Sequence, residues 1–235
     1  MGPRSDGARP VILLHGLFSS AEINWIKYGT AARVAAAGFD VIMPDLRAHG
    51  QSAKPQAAAA YPPEVLVRDL LAVVDHLGLE TFDLCGFSLG ARTALRAVIV
   101  GGLEPERLIL CGMGLAGLRD WAGRIGFFLD VIERYGTIPR DDPAYFAQTF
   151  MRSTKVDLIA AELLLRSFLG SRAEDLSLVT MPTLLVCGTE DDDNGSAEEL
   201  AAELPDARFA AIPGTHMSSV TMRQLGEEIV GFLSP

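Results

Sequence analysis

The chain has 235 residues, 49% of them hydrophobic, a formal net charge of −10 and a sequence pI of about 4.8. That length is ample for the core of one domain, and that charge argues against nucleic acid or an anionic membrane as a partner. No run of about 18 apolar residues reads as a membrane helix and residues 1–10 lack the apolar stretch of a secretory signal, so a cytoplasmic protein is expected.

Residues 1–10 are rich in glycine, proline and charge and read as an extended lead-in. The apolar run Val11-Ile12-Leu13-Leu14 then reads as a buried strand that ends in the turn His15-Gly16-Leu17-Phe18. Backbone N–H groups just past a strand end are suited to hold the negative charge that acyl transfer builds on a carbonyl oxygen. Leu17 is the candidate for one such donor, with Phe18 as the alternative, and His15 is read as ordering the loop rather than carrying protons. A second strand is expected over 38–43, followed by the turn Asp45-Leu46-Arg47-Ala48-His49-Gly50-Gln51-Ser52. Residues 57–63 read as a loop into a helix whose exposed end carries His76.

The most informative segment follows. An apolar run, Thr81-Phe82-Asp83-Leu84-Cys85, leads into Gly86-Phe87-Ser88-Leu89-Gly90 and then into a helical stretch. A serine on so sharp a strand-to-helix turn is strained, and its neighbours two positions away must be small. Ser88 is therefore the candidate nucleophile and the N–H of Leu89 the other oxyanion donor; a helix-capping serine is the competing reading. A strand over 107–111 comes next. Between it and Pro182 no strand signal occurs, and aromatic residues fall at amphipathic-helix spacing, so residues 115–178 are expected to form a helical cap over Ser88. Trp121 and Phe128 from the cap, with Phe18 and Met217, are candidate pocket-lining residues.

Charge in that region is nearly balanced: over 119–172 basic side chains outnumber acidic ones by one, against −10 for the whole chain. A preference for carboxylate-bearing acyl groups competes here with ordinary helix-surface ion pairing.

The strand Thr183-Leu184-Leu185-Val186-Cys187-Gly188 delivers the acidic run Glu190-Asp191-Asp192-Asp193, and a last strand delivers Pro213-Gly214-Thr215-His216. His216 is the only one of the four histidines on a strand-end loop after the acid. It is the candidate base, with Asp191 as its acceptor and Asp192 as the alternative. The chain order Ser88, Asp191, His216 separates this arrangement from other serine-hydrolase folds. The three cysteines each stand just before a glycine at a strand end, which suggests a row of buried thiols, and an odd count argues against a disulfide framework.

These motifs together resemble the α/β-hydrolase superfamily, and most of all its small capped serine esterases and lactonases. The shared features are the H-G-x-x loop, a D-x-R-G-H-G-x-S-like turn, the G-x-S-x-G elbow, a G-x-x-D acid loop and a late P-G-x-x-H loop. The resemblance implies a mostly parallel sheet of about six strands flanked by helices, one domain over 1–235 with the cap at 115–178 inserted in it, and a Ser88–His216–Asp191 triad. It also implies cleavage of a small carboxylic ester, thioester or lactone through an acyl-enzyme, with no metal or organic cofactor. C–C bond hydrolysis, acyl transfer or perhydrolysis on the same triad, and a non-catalytic binding protein on the same fold, are the alternatives. A serine at the elbow, not an aspartate, argues against the epoxide-hydrolase and dehalogenase branches.

Three departures from the resembled pattern carry expectations. Ala48 stands where glycine is usual, which is tolerable if the backbone there avoids positive φ. The histidine loop is one residue short, which puts the reach of His216 in question. The two strands usual before the His-Gly strand are missing, so the strand at 38–43 should lie at an open edge, either covered by the lead-in or used in a homodimer through Val41 and Met43.

Overall fold

The computed structural model describes residues 7–168 and 173–234, without the side chains of Trp121, Ala173 and Glu174. In chain order the elements are β1 (Pro10–Leu14), a π-helical turn (Glu22–Ile26), α1 (Thr30–Ala36), β2 (Asp40–Ile42), α2 (Val65–His76), β3 (Asp83–Phe87), α3 (Leu89–Ile99) and β4 (Leu108–Cys111). Then come α4 (Leu115–Arg119), α5 (Trp121–Glu133), α6 (Tyr145–Ser153), α7 (Leu158–Arg166), β5 (Thr183–Gly188), α8 (Ala197–Glu203), β6 (Ala207–Ile212), α9 (His216–Ser219) and α10 (Arg223–Leu233).

The central strands β1, β3, β4 and β5 are buried on both faces, whereas the edge strands β2 and β6 are half-buried or partly exposed. The six strands form one sheet in the order β2-β1-β3-β4-β5-β6, with every pairing parallel. Side chains alternate between two cores. Ile12, Leu14, Leu84, Leu108, Leu110 and Leu185 pack with α2, α3 and α8. Val11, Leu13, Cys85, Ile109, Leu184 and Val186 pack with α1 and α10. Among the described residues α4 to α7 lie between β4 and β5; a third cluster containing Val131, Ile138, Met151 and Leu165 joins α5, α6 and α7 to Phe18, while Leu115 and Leu118 of α4 pack into the first core.

Register settles the cysteines. Cys85 pairs across from Ile109 and Cys111 from Phe87, which puts both thiols on one face, 4.0 Å apart. Val186, not Cys187, pairs with Cys111, so Cys187 points to the opposite face and belongs to the other core. The expected row of three is a pair and a single thiol.

β2 is an edge strand, as expected. Phe39, Val41 and Met43 are half-buried and pack against the core with α1 and α10. Arg9 lies over the Phe39 ring at 5.4 Å. The rest of the lead-in, residues 1–6, lies outside the described residues.

Candidate active site

In an open parallel sheet the carboxyl ends of the strands gather the loops that can do chemistry. Here those of β1, β3, β5 and β6 converge. Ser88 occupies the residue between β3 and α3 at φ 51° and ψ −110°, backbone territory that costs an L-residue of order 1–3 kcal/mol. The flanking glycines make the turn feasible. A Cβ on Gly86 would sit 2.2 Å from the Gly90 carbonyl carbon, and one on Gly90 would sit 2.2 Å from Leu14 O. Ser88 stands at the N-cap of α3, yet its side chain caps nothing. The capping reading therefore fails, and the hydroxyl is turned elsewhere.

It faces His216. Ser88 Oγ lies 3.0 Å from His216 Nε2, and His216 Nδ1 lies 2.9 Å from Asp191 Oδ2 and 3.1 Å from Oδ1. A carboxylate only accepts, so the Nδ1–H donates to Asp191 and Nε2 is left to accept from the serine hydroxyl. All three residues are buried. The shortened histidine loop reaches because Gly214, at φ 110°, approaches so closely that its O lies 2.1 Å from where a Gly188 Cβ would be. Thr215 then caps α9 through a reciprocal pair with Ser218 and fixes the start of the helix at His216. Of the two acidic candidates, Asp191 is the one brought to His216; Asp192 is exposed. The Cys187 thiol also donates to Asp191 Oδ2, at 3.7 Å, and burial pushes that thiol well above its ordinary range.

The His-Gly loop is built as a clamp. Gly16 N–H donates to Asn24 Oδ1 at 3.1 Å, and Ser19 N–H closes the turn onto Gly16 O at 3.3 Å. His15 is fully buried, and its Nε2 lies 2.9 Å from the Leu46 N–H that it must accept. The proton is therefore on Nδ1, which donates to Gly16 O at 2.8 Å, and the ring is neutral; burial holds its pKa below the usual value. His15 orders the loop, as its place in the sequence suggested. Among the described residues no acceptor takes the backbone N–H of Leu17, Phe18 or Leu89, while that of Ser88 is spent on Cys111 O at 2.8 Å. Leu17 and Leu89 line the space beside Ser88, and so does Phe18, held at φ 58°.

Ala48 corrects the expectation attached to it. It adopts φ 68°, so the local backbone does not avoid the left-handed region, and a cost of about 1–2 kcal/mol is carried there. Its neighbours hold it. Ala48 N–H donates to Ala53 O at 3.0 Å, and Asp45 accepts from Gln51 N–H at 2.7 Å and from Ala21 N–H at 2.8 Å.

A cavity of about 880 Å³ opens over Ser88. Its floor includes Gly16, Leu17, Phe18, Asn24, Phe87, Ser88, Leu89, His216 and Met217. Its roof comes from α5 and α6, with Arg124, Phe127, Phe128, Phe146 and Phe150, and Asp193 adds to the wall. Phe18, Phe128 and Met217 thus line the cavity; the side chain of Trp121 lies outside the described residues. Asn24 and Arg124 were not singled out in the sequence. Asn24 carries no local signal, because its role depends on a π-helical turn folding back onto Gly16. Arg124 was one cap arginine among several. Among the described residues no group of three or more His, Cys, Asp or Glu side chains is arranged to hold a metal ion.

Comparison with known proteins agrees with this fold. A family model described as the alpha/beta hydrolase fold matches residues 9–129. Among curated relatives, an epoxide hydrolase of Caballeronia sordidicola is 32% identical over 102 residues, 43% of this chain and 30% of that protein. An N-formylmaleamate deformylase of Pseudomonas putida is 30% identical over 144 residues, 60% of this chain and 52% of that protein. The matched region thus spans about a third to a half of those proteins. Among solved structures, the enol-lactonase from Burkholderia xenovorans superposes with a TM-score of 0.72 at 22% identity, covering 100% of this chain and 94% of that one. The 2-hydroxy-6-oxo-6-phenylhexa-2,4-dienoate hydrolase from a Rhodococcus species gives 0.67 at 18%, covering 96% and 90%. At those identities the solved structures speak to the fold alone.

Proposed function

The chain belongs to the alpha/beta hydrolase fold family, and from that premise we propose that it is a serine hydrolase that cleaves a small carboxylic ester, thioester or lactone through an acyl-enzyme on Ser88. The observation that carries this reading is the hydrogen-bonded line from Ser88 Oγ through His216 to Asp191, set at the floor of an 880 Å³ cavity.

In the first step His216 Nε2 takes the hydroxyl proton as Ser88 Oγ attacks the carbonyl carbon. Asp191 holds the ring orientation and stabilises the imidazolium. The oxyanion that forms is met by the N–H of Leu89 and by that of Leu17 or Phe18, all free of internal acceptors among the described residues. Collapse expels the alcohol, thiol or ring oxygen, which takes the proton back from Nε2. In the second step the same nitrogen activates water, which attacks the acyl-enzyme and releases the acid. Aromatic side chains of α5 and α6 roof the cavity and make much of its wall apolar, which favours charge interactions near Ser88 over those in open water. The elbow holds a hydroxyl and not a carboxylate, so the covalent intermediate joins the substrate's acyl carbon to Ser88 Oγ, and water attacks that acyl carbon.

The test is turnover of p-nitrophenyl esters of graded acyl length. The wild-type protein should hydrolyse short to medium esters, and Ser88→Ala should lose about 10⁴-fold or more in kcat while keeping its thermal transition. A wild-type protein inert toward the whole series, or a fully active Ser88→Ala, contradicts the proposal.

A further inference from the structure

Most cationic side chains of the cap that approach a carboxylate are paired with one. Arg119 bonds Glu203, Arg134 bonds Asp130 and Asp142, and Arg166 bonds Glu162. Those pairs involve three of the eight basic residues over 119–172, and they stand largely on its surface.

Arg124 differs in place and in partners. It rises from the first turn of α5 into the cavity wall, half-buried, with its guanidinium 5.9 Å from the Phe128 ring centre. Its one hydrogen bond among the described residues runs from Nη1 to the backbone carbonyl of Asp193. No carboxylate among the described residues forms an ion pair with it. Asp120 and Asp193 also line the cavity, but the Asp120 carboxylate caps its own helix on Gly123 N at 3.3 Å, and Asp193 is exposed. Arg124 is also the only Lys or Arg lining the cavity among the described residues; the remaining wall is largely aromatic and aliphatic.

A guanidinium carries five N–H donors in a planar fork. Taking it partly out of water without a counter-ion is costly, and the cost is recovered when an anion arrives. Burial lowers the Arg124 pKa from its ordinary value, and the more distant charges of Asp193 and Asp191 pull it back up without satisfying the fork. A monoanion fits such a site better than a dianion, because those acidic neighbours repel added negative charge.

We propose that Arg124 is a specificity-determining residue, and that the substrate is an ester, thioester or lactone whose acyl part carries a second group, a free carboxylate, bound by the Arg124 fork. This rests on the serine-hydrolase reading above for the bond that is cleaved. The recognition of the carboxylate is separately measurable.

Two arms test it. In the Ser88→Ala background, which cannot turn over, binding of monomethyl glutarate and of dimethyl glutarate is measured by calorimetry, with monomethyl succinate and monomethyl adipate to vary the reach. The acidic monoesters should bind more tightly than the neutral diester, and adding Arg124→Met should weaken the best of them by about tenfold or more, in the range of a lost charge-assisted hydrogen bond. Arg124→Lys should retain part of the difference, and Arg140→Met, which removes a cap charge outside the cavity, should leave it unchanged. In the otherwise wild-type protein, the ratio of kcat/KM for acidic over neutral p-nitrophenyl esters should fall by about the same factor with Arg124→Met, carried by KM. Equal binding of acidic and neutral esters, or an equal loss in Arg124→Met and Arg140→Met, overturns the proposal. If both esters are left uncleaved while the binding difference still tracks Arg124, the hydrolase reading fails and the anion site stands.

Discussion

Ser88 sits at backbone angles that a serine adopts only under constraint, and its hydroxyl caps nothing and meets an imidazole. The cost of that conformation is local, and it points the one nucleophile of the elbow away from the sheet. Asp191 is equally committed: it accepts from His216, from the Cys187 thiol and, at 3.3 Å, from Asp193 N–H. A neutral amide in its place would disturb the histidine tautomer. Asp191→Asn should therefore lower kcat by about 10³–10⁴-fold with little change in KM, whereas Asp192→Asn, on an exposed side chain, should stay within about twofold of wild type. Steady-state kinetics on one ester decides it, and a reversed order would move the acid to Asp192. The convergence of Ser88, His216 and Asp191 was legible in the sequence because the elbow, acid loop and histidine loop each follow a strand in a fixed order. Asp192 stayed open there as the alternative to Asp191, since adjacent carboxylates are told apart only by which one the loop turns inward. Arg124 and Asn24 were illegible for a related reason: each acts through a contact made by tertiary folding.

The elements were easier to read than the residues. Six short apolar runs correspond to the six strands: the four central ones, covered on both faces, are near-continuous hydrophobic stretches, and the two edge strands keep shorter ones. The fine placement of side chains was not available in the same way. A strand-end cysteine before a glycine looks alike three times over in the sequence, and only register assigns Cys187 to the other face. Ala48 shows the same limit. A turn enforced by Asp45 and Ala53 overrides the residue's own preference and holds it at positive φ. Between β4 and β5 the amphipathic spacing coincides with helices, but which aromatics face the cavity depends on how α5 and α6 cross above Ser88.

At the scale of the whole molecule, the parallel sheet places loops from β1, β3, β5 and β6 at one rim, and the helices between β4 and β5 lie above that rim. The same packing buries titratable groups, with a consequence for stability. Burial lowers the His49 pKa to about 3, and that of His15 falls below its ordinary value for the same reason. Between about pH 3 and 6.5 the unfolded chain binds protons that the folded chain refuses, so stability from these groups rises with pH, is complete above about 6.5 and is lost on acidification. Asp83 runs the other way: burial raises it to about 6 against the pull of Arg9 and Arg107, so its share falls as pH climbs from about 4 to 6. Urea unfolding of wild type and His49→Asn at pH 7 and 4.5 isolates one histidine. The wild type should lose about 2–3 kcal/mol more than the variant on acidification, and parallel losses would show that His49 is not held neutral. The central claim, that three side chains far apart in sequence act as one device on Ser88, is tested most directly by covalent labelling with a fluorophosphonate followed by peptide mass analysis. The account predicts a single adduct on the peptide containing Ser88, absent from Ser88→Ala and formed orders of magnitude more slowly in His216→Ala. A wild-type protein that stays unlabelled, or a His216→Ala protein that labels at the wild-type rate, would contradict it.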